Sequence, residues 1–261
     1  MKKETEEKLA GSLTAETTEL VPFLPYLLQD LWELGSNPRD MIRLIKEHIP
    51  LSVDTKILDL ACGKGAVSVN IAESLRVNVY GVDLLPEFIE YAIQKAEEFN
   101  VGPLCHFRIG DANEAATEEN DYDCVIFGAA GNILGDPQET LNRLKKTIKP
   151  GGYIIIDEAY LPDGSSNDNV KYKKYDHLTH DQWMRLFKDS DLALLEEVNV
   201  TEDYDYDFDS DNKAIALRAD ELIAKHPEKR AMFEGYINSQ LNECEDLENN
   251  IAGVTWMLKK L

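Results

Sequence analysis

Between residues 56 and 157 short apolar runs alternate with stretches of helical period, and no other feature constrains the fold of this chain so tightly. Strand-length runs fall at 56–60, 78–82, 105–109, 124–127 and 153–157, with helical spacing at 66–75, 86–99 and 137–148. Strands that alternate with helices read as βαβ units, and each crossover is expected to be right-handed. Because the runs are nearly continuous in apolar residues, the sheet is expected to be parallel and covered on both faces. The pattern predicts an α/β fold, an open doubly wound core from about residue 51 to about residue 160.

The flanks read differently. Residues 18–34 carry apolar and aromatic positions at helical spacing with Pro22 and Pro25 near the start, and predict a helix or two packed over one edge of the core. Residues 162–169 are rich in Pro, Gly, Ser and Asn and read as a loop. A short helix at 179–189, a strand at 192–200, helices at 213–225 and 228–247 and a last strand at 253–259 complete the expectation. The chain thus divides into an N-terminal helical cap (1–50), a core (51–160) and a C-terminal part (161–261) that completes the sheet and carries helical insertions.

With 43% apolar and 29% charged residues the chain can bury a core, which argues against a disordered or fibrous protein. No apolar run approaches the ~20 residues needed to cross a bilayer. The first twelve residues have no apolar stretch behind their lysines, so no secretory signal and a cytoplasmic location are expected. Lys and Arg number 27 against 49 Asp and Glu, a net charge of −22 that repels phosphate backbones and anionic lipid. Neither nucleic acid nor membrane is an expected partner, and cationic or neutral substrates gain slightly. Cys62, Cys105, Cys124 and Cys244 lie far apart without zinc spacing and read as reduced and structural.

The informative stretch runs Asp59-Leu-Ala61-Cys62-Gly63-Lys64-Gly65, in which a strand ends on an acid and a glycine-containing turn leads into a helix. Ligands of open α/β sheets bind at such a place, beyond the carboxyl ends of the strands. Asp83, at the end of the second strand, can accept both hydroxyls of a ribose. In the frame Gly-Lys-Gly-Ala-Val-Ser the third position of a dinucleotide turn is Ser68, and Asp59 would repel a pyrophosphate while suiting an ammonium group. A nucleoside with a cationic tail is favoured over a nicotinamide dinucleotide, and the Walker phosphate pattern is broken.

Residues 59–65 resemble the first motif of class I S-adenosylmethionine-dependent methyltransferases, D/E-x-G-x-G-x-G, with Ala61 standing at the first glycine. Gly81-Val-Asp83-Leu84, Gly110-Asp111-Ala112, residues 122–127 and residues 148–157 are similar to the following four blocks, in order. The resemblance implies a Rossmann-like fold, a seven-stranded, mostly parallel sheet whose last strand is antiparallel and inserted beside the fifth. It also implies S-adenosyl-L-methionine as cofactor: Asp59 near its methionine end, Ala61, Gly63 and Gly65 in the turn beneath it, Asp83 on the ribose, Leu84 over the adenine, and Asp111 and Ala112 at the adenine edge. The implied function is transfer of the sulfonium methyl to a small-molecule acceptor by in-line displacement. A binder of the same cofactor that senses without methylating, and a nicotinamide-dependent oxidoreductase, are the alternatives.

Transfer needs alignment and exclusion of water, and a general base only where the nucleophile must lose a proton. Candidate bases are Asp157, Glu158, Tyr160, His177 and His180, each of which can equally end a strand, cap a helix or face solvent. No metal is expected. The fourth strand runs into Phe127-Gly-Ala-Ala-Gly without clustered acids, and a calcium loop at 203–214 would need Gly at Phe208 and Glu at Ala214. Tyr204, Tyr206 and Phe208 are candidates to cover an acceptor pocket; alternatively, their acidic segment simply leads into an Asp cap for the next helix.

Overall fold

A computed structural model describes residues 3–174, 176–199 and 207–261. Its centre is a seven-stranded sheet in the order β3-β2-β1-β4-β5-β7-β6. The parallel strands are β1 (Lys56–Leu60), β2 (Asn78–Asp83), β3 (Cys105–Ile109), β4 (Tyr122–Gly128) and β5 (Ile148–Tyr160). β6 (Leu192–Asn199) and β7 (Ala252–Lys260) complete it, with β7 antiparallel to both β5 and β6. The doubly wound, mostly parallel architecture and the inserted last strand are as expected. The central strands are apolar on both sides because helices cover both faces, and Ile57, Leu58, Val125, Ile126, Ile154 and Ile155 are fully buried.

Helices α4 (Ala66–Leu75), α5 (Pro86–Glu98), α6 (Ala112–Glu118) and α7 (Pro137–Thr147) are the crossovers. Before them come α1 (Lys3–Ser12), a 3₁₀ stretch Thr18–Phe23 running into the single turn α2 (Leu24–Leu27), and α3 (Pro38–His48). After β5 come α8 (His180–Asp189), α9 (Phe208–Lys225) and α10 (Arg230–Asn249). Three helices go beyond the sequence reading. For α3 the local signal is strong: an Asn37 cap, Pro38 at the first position, and Met41, Leu44 and Ile45 on one buried face. The short helix α6 buries only Ala112, Ala115 and Ala116, too faint a periodicity to stand out, and α1 buries only Leu9 and Ala10. Asp207 accepts the backbone N–H of Ser210 at 2.9 Å, so the expected Asp cap exists and α9 begins at Phe208 rather than at 213.

Residues 18–34, expected over one edge of the core, pack over the edge formed by the carboxyl ends of the strands. Leu20, Leu24 and Leu27 pack with Ile215, Ala219, Phe233 and Tyr236 of α9 and α10 and with Leu85 and Phe88 at the start of α5. This layer stands over the carboxyl ends of the strands, because Trp32 and Leu34 line the same cleft as Ala61, Gly63 and Asp83. No helix of the described residues is long and apolar enough to cross a membrane.

Candidate functional site

The turn after β1 is stitched to β2 by the Cys62 N–H, which donates to the Val82 carbonyl at 3.0 Å. Within it Ala61, Gly63 and Gly65 have φ of +59°, +53° and +74°. Glycine adopts this left-handed geometry freely, whereas at Ala61 the methyl group costs about 1–2 kcal/mol. Ala61→Gly is therefore expected to raise the unfolding free energy by about 0.5–1 kcal/mol, net of the added flexibility of the unfolded chain, as read by urea denaturation. An unchanged or lowered midpoint would contradict the strain.

Gly63 stands in the turn with Leu34 above it: a Cβ there would lie 3.1 Å from the Leu34 Cδ1. Gly65 does not line the cleft. A Cβ at that position would come within 2.7 Å of the Ala92 Cβ and 3.1 Å of the Phe107 ring, so this glycine lets α5 and β3 close against the start of α4.

Asp59 is 4% exposed and accepts the Ser68 hydroxyl at 2.6 Å. Burial pushes its carboxyl up to about 6, opposed by the Ser68 bond and reinforced by the charge of Asp83. Asp83 accepts the N–H of Gly63 and the N–H of Leu85, each at 2.9 Å, and so ties the turn to the start of α5. Burial raises its pKa, and the backbone bonds of Leu85 and Gly63 oppose that. The two oxygens of that carboxylate have acceptor capacity left for a ligand. Asp111 caps α6 by accepting the Asn113 N–H at 2.8 Å, and its other oxygen accepts the Thr5 hydroxyl of α1 at 3.2 Å.

These acids surround one cleft of about 970 Å³, measured out to its open mouth. Asp59, Ala61, Gly63, Asp83, Leu84, Asp111 and Ala112 all line it, and Leu9, Leu13, Trp32 and Leu34 come from the N-terminal layer. Three carboxylates and a left-handed turn suit a ligand with hydroxyls to donate and a positive tail, and oppose a pyrophosphate. The one lysine of the turn does not offset them. The Lys64 ammonium donates to the Leu28 carbonyl at 2.6 Å, to Gln29 at 3.1 Å and to Leu31, while the Trp32 indole returns a bond to the Lys64 carbonyl at 3.1 Å. Lys64 thus fastens the N-terminal layer to the turn, a role for which the sequence offers no signal because its partners lie more than thirty residues away.

None of the five candidate bases lines the cleft. The Tyr160 hydroxyl donates to Asn199 at 3.1 Å, and its ring meets His180, which lies 2.7 Å from Glu197; this group belongs to the β6–β7 side of the sheet. His177 is buried, its backbone clasped by Asn167. Asp157 comes nearest, close to Ser36 of the cleft wall, with one oxygen accepting the Thr255 hydroxyl at 3.3 Å and the other without a hydrogen-bond partner among the described residues. Burial raises its carboxyl to about 6. Glu158, raised by burial to about 7, accepts the Ala159 N–H at 3.0 Å and feels the charge of Glu243 on α10. Glu47, His48 and Glu196 form a possible metal triad, but the Arg43 guanidinium already pairs with both glutamates. Tyr175, Val200, Tyr204 and Tyr206 lie outside the described residues.

A family model described as a methyltransferase domain matches residues 51–202. A probable cobalt-precorrin-6B C(15)-methyltransferase of Methanothermobacter thermautotrophicus is 34% identical over 104 residues, covering 40% of this chain and 52% of that protein. Phosphoethanolamine N-methyltransferase 1 of Triticum aestivum is 26% identical over 50% of this chain and 26% of its own length. The chain therefore spans about half or less of these two relatives. Among solved structures, an S-adenosylmethionine-dependent methyltransferase from Geobacter sulfurreducens, in complex with S-adenosyl-L-homocysteine, superposes with a TM-score of 0.74 at 19% identity, covering 92% of this chain and 98% of that one.

Proposed function

The chain belongs to the methyltransferase-domain family, and from that premise we propose that it transfers a methyl group from S-adenosyl-L-methionine to a small-molecule acceptor by in-line displacement. The observation that carries this reading is the convergence of Asp59, Asp83 and Asp111, from the tips of three neighbouring strands, on one cleft beside a left-handed turn. When bound, the cofactor supplies a methyl group on a sulfonium, already electrophilic. Asp83 holds the ribose hydroxyls, Leu84 covers the adenine, Asp111 and Ala112 meet the adenine edge, and Gly63 with Ala61 makes room beneath. Asp59, oriented by Ser68, attracts the ammonium of the methionine end. The N-terminal layer, held by Lys64 and by the Thr5–Asp111 bond, excludes water. In this reading residues 1–50 are the cap, 51–160 the cofactor-binding core and 161–261 the acceptor side. The acidic surface supports an enzyme that ignores nucleic acid, and the four free thiols support a cytoplasmic location.

Calorimetry with S-adenosylhomocysteine tests the proposal: binding is expected, and no heat, or tight binding of NADH in its place, would overturn it. The affinity should also depend on pH. Below about pH 6 Asp59 takes up a proton in the empty cleft and loses its pull on an ammonium. Affinity should then fall by about tenfold per pH unit, and Asp59→Asn should flatten that slope. Since the folded pKa is raised, this carboxyl also weakens the fold as pH rises from about 4 to about 6, so Asp59→Asn should melt no lower than the parent at pH 7.

A further inference from the structure

On α10, Tyr236, Ser239 and Glu243 recur at helical spacing on one face. Tyr236 and Ser239 are each 1% exposed, and among the described residues neither hydroxyl has a hydrogen-bond partner. Two such orphaned buried hydroxyls destabilise the fold, a cost that a polar ligand would remove. Glu243 accepts the hydroxyl of Thr14 and presses electrostatically on Tyr236, on Tyr172 and on Glu158 at the end of β5, which places these groups in one region. The charges acting on the two glutamates are negative: Asp157 and Glu243 on the first, Asp246 on the second. Both side chains keep part of their surface open. Buried like charges without a counterion favour a cation.

The cluster does not line the cleft itself but is joined to its wall through the end of α1 and the residues that follow. Ser12 and Leu13 of the cleft wall adjoin Gly11 and Thr14, whose carbonyl and hydroxyl meet Tyr172 and Glu243. Asp157, next to Glu158, lies close to Ser36 of the same wall.

We infer that the cluster formed by Glu158, Glu243, Tyr236 and Ser239 is the acceptor subsite and that the acceptor is a small primary or secondary amine. This inference rests on the methyl-transfer reading and names its substrate class. The amine enters as an ammonium between the two carboxylates and gives one proton to Glu158. The nitrogen lone pair then forms the N–C bond, the methyl C–S bond breaks, and its electron pair stays on sulfur. The product leaves as the methylated ammonium and Glu158 returns its proton to water. Burial, which pushes Glu158 up to about 7, suits it to that exchange. An anionic acceptor would be repelled by both carboxylates.

The test uses the full chain saturated with S-adenosylhomocysteine and saturation-transfer NMR with ethylamine, ethanol, acetate and calcium chloride as probes. Ethylamine alone should respond among the organic probes, calcium should not displace it, and Glu158→Gln and Glu243→Gln should each lower its response at least fivefold with S-adenosylhomocysteine affinity within threefold of the parent. Tyr236→Phe guards against misfolding, since removing an orphaned hydroxyl should raise the melting temperature while at least halving the ethylamine response. Failure to bind S-adenosylhomocysteine would overturn the methyl-transfer reading and this inference with it. With that binding intact, no ethylamine response, an equal response to ethanol or acetate, displacement by calcium, or insensitivity to all three variants would overturn the subsite alone.

Discussion

Asp83→Ala is expected to lower the affinity for S-adenosylhomocysteine by about two to three orders of magnitude. Each charge-assisted bond to a ribose hydroxyl contributes about 1.5–3 kcal/mol, and this carboxylate has acceptor capacity left for both. The same side chain also holds the N–H groups of Gly63 and Leu85, so part of the loss comes from a turn that is no longer pre-shaped. Asp83→Asn separates the two contributions. It keeps one acceptor oxygen for the turn but gives up the charge, and should fall between parent and alanine variant in calorimetry. An alanine variant that binds within threefold of the parent would remove Asp83 from the ribose and with it the orientation of the cofactor.

Lys64→Met is expected to lower the unfolding free energy by about 3–5 kcal/mol, among the largest losses that one substitution in this chain can bring. Methionine matches the length of the lysine stem but takes the donor away from the carbonyls of Gln29 and Leu31, while Leu28 loses one bond and keeps that from the Leu31 N–H at 3.1 Å. Unsatisfied buried acceptors cost about 1–3 kcal/mol each. The ammonium also lies 4.5 Å from the centre of the Tyr91 ring, and that cation–π contact goes too. Burial pulls the Lys64 pKa down to about 8, so the ammonium is present at neutral pH, and the parent gains stability from this group as pH rises from about 8 toward 10.5. The variant should lack that rise. Urea titration at pH 7 and pH 9.5 reads both effects, and a loss under about 1 kcal/mol would show that the N-terminal layer is held by its apolar contacts alone.

The two variants differ in how far each role was legible beforehand. Asp83 ends an apolar strand and is followed by a helix, so its place at the mouth of the sheet follows from local pattern. Lys64 stands between two glycines in a turn whose Walker pattern is broken, and nothing near it in the sequence names its partners. Ser68 is a similar case: its position breaks a dinucleotide motif, but its bond to Asp59 emerges only when the first turn of α4 is laid against β1. The candidate bases, of which only Glu158 enters the proposed acceptor subsite, show the opposite outcome. Position after the fifth strand brought Asp157, Glu158, Tyr160, His177 and His180 under one heading, yet β5 runs on to Tyr160 and alternation sends its side chains to different faces.

What the chain determined by itself is the sheet and the floor of the cleft. Apolar runs, acids at strand ends and glycines in a left-handed turn act within a few residues of one another, so their geometry is written locally. The tertiary structure alone decided the roof of the cleft, the task of Lys64 and the gathering of Glu158 with Tyr236, Ser239 and Glu243. Those contacts join segments far apart in sequence, and which buried polar group meets which partner depends on how whole layers pack.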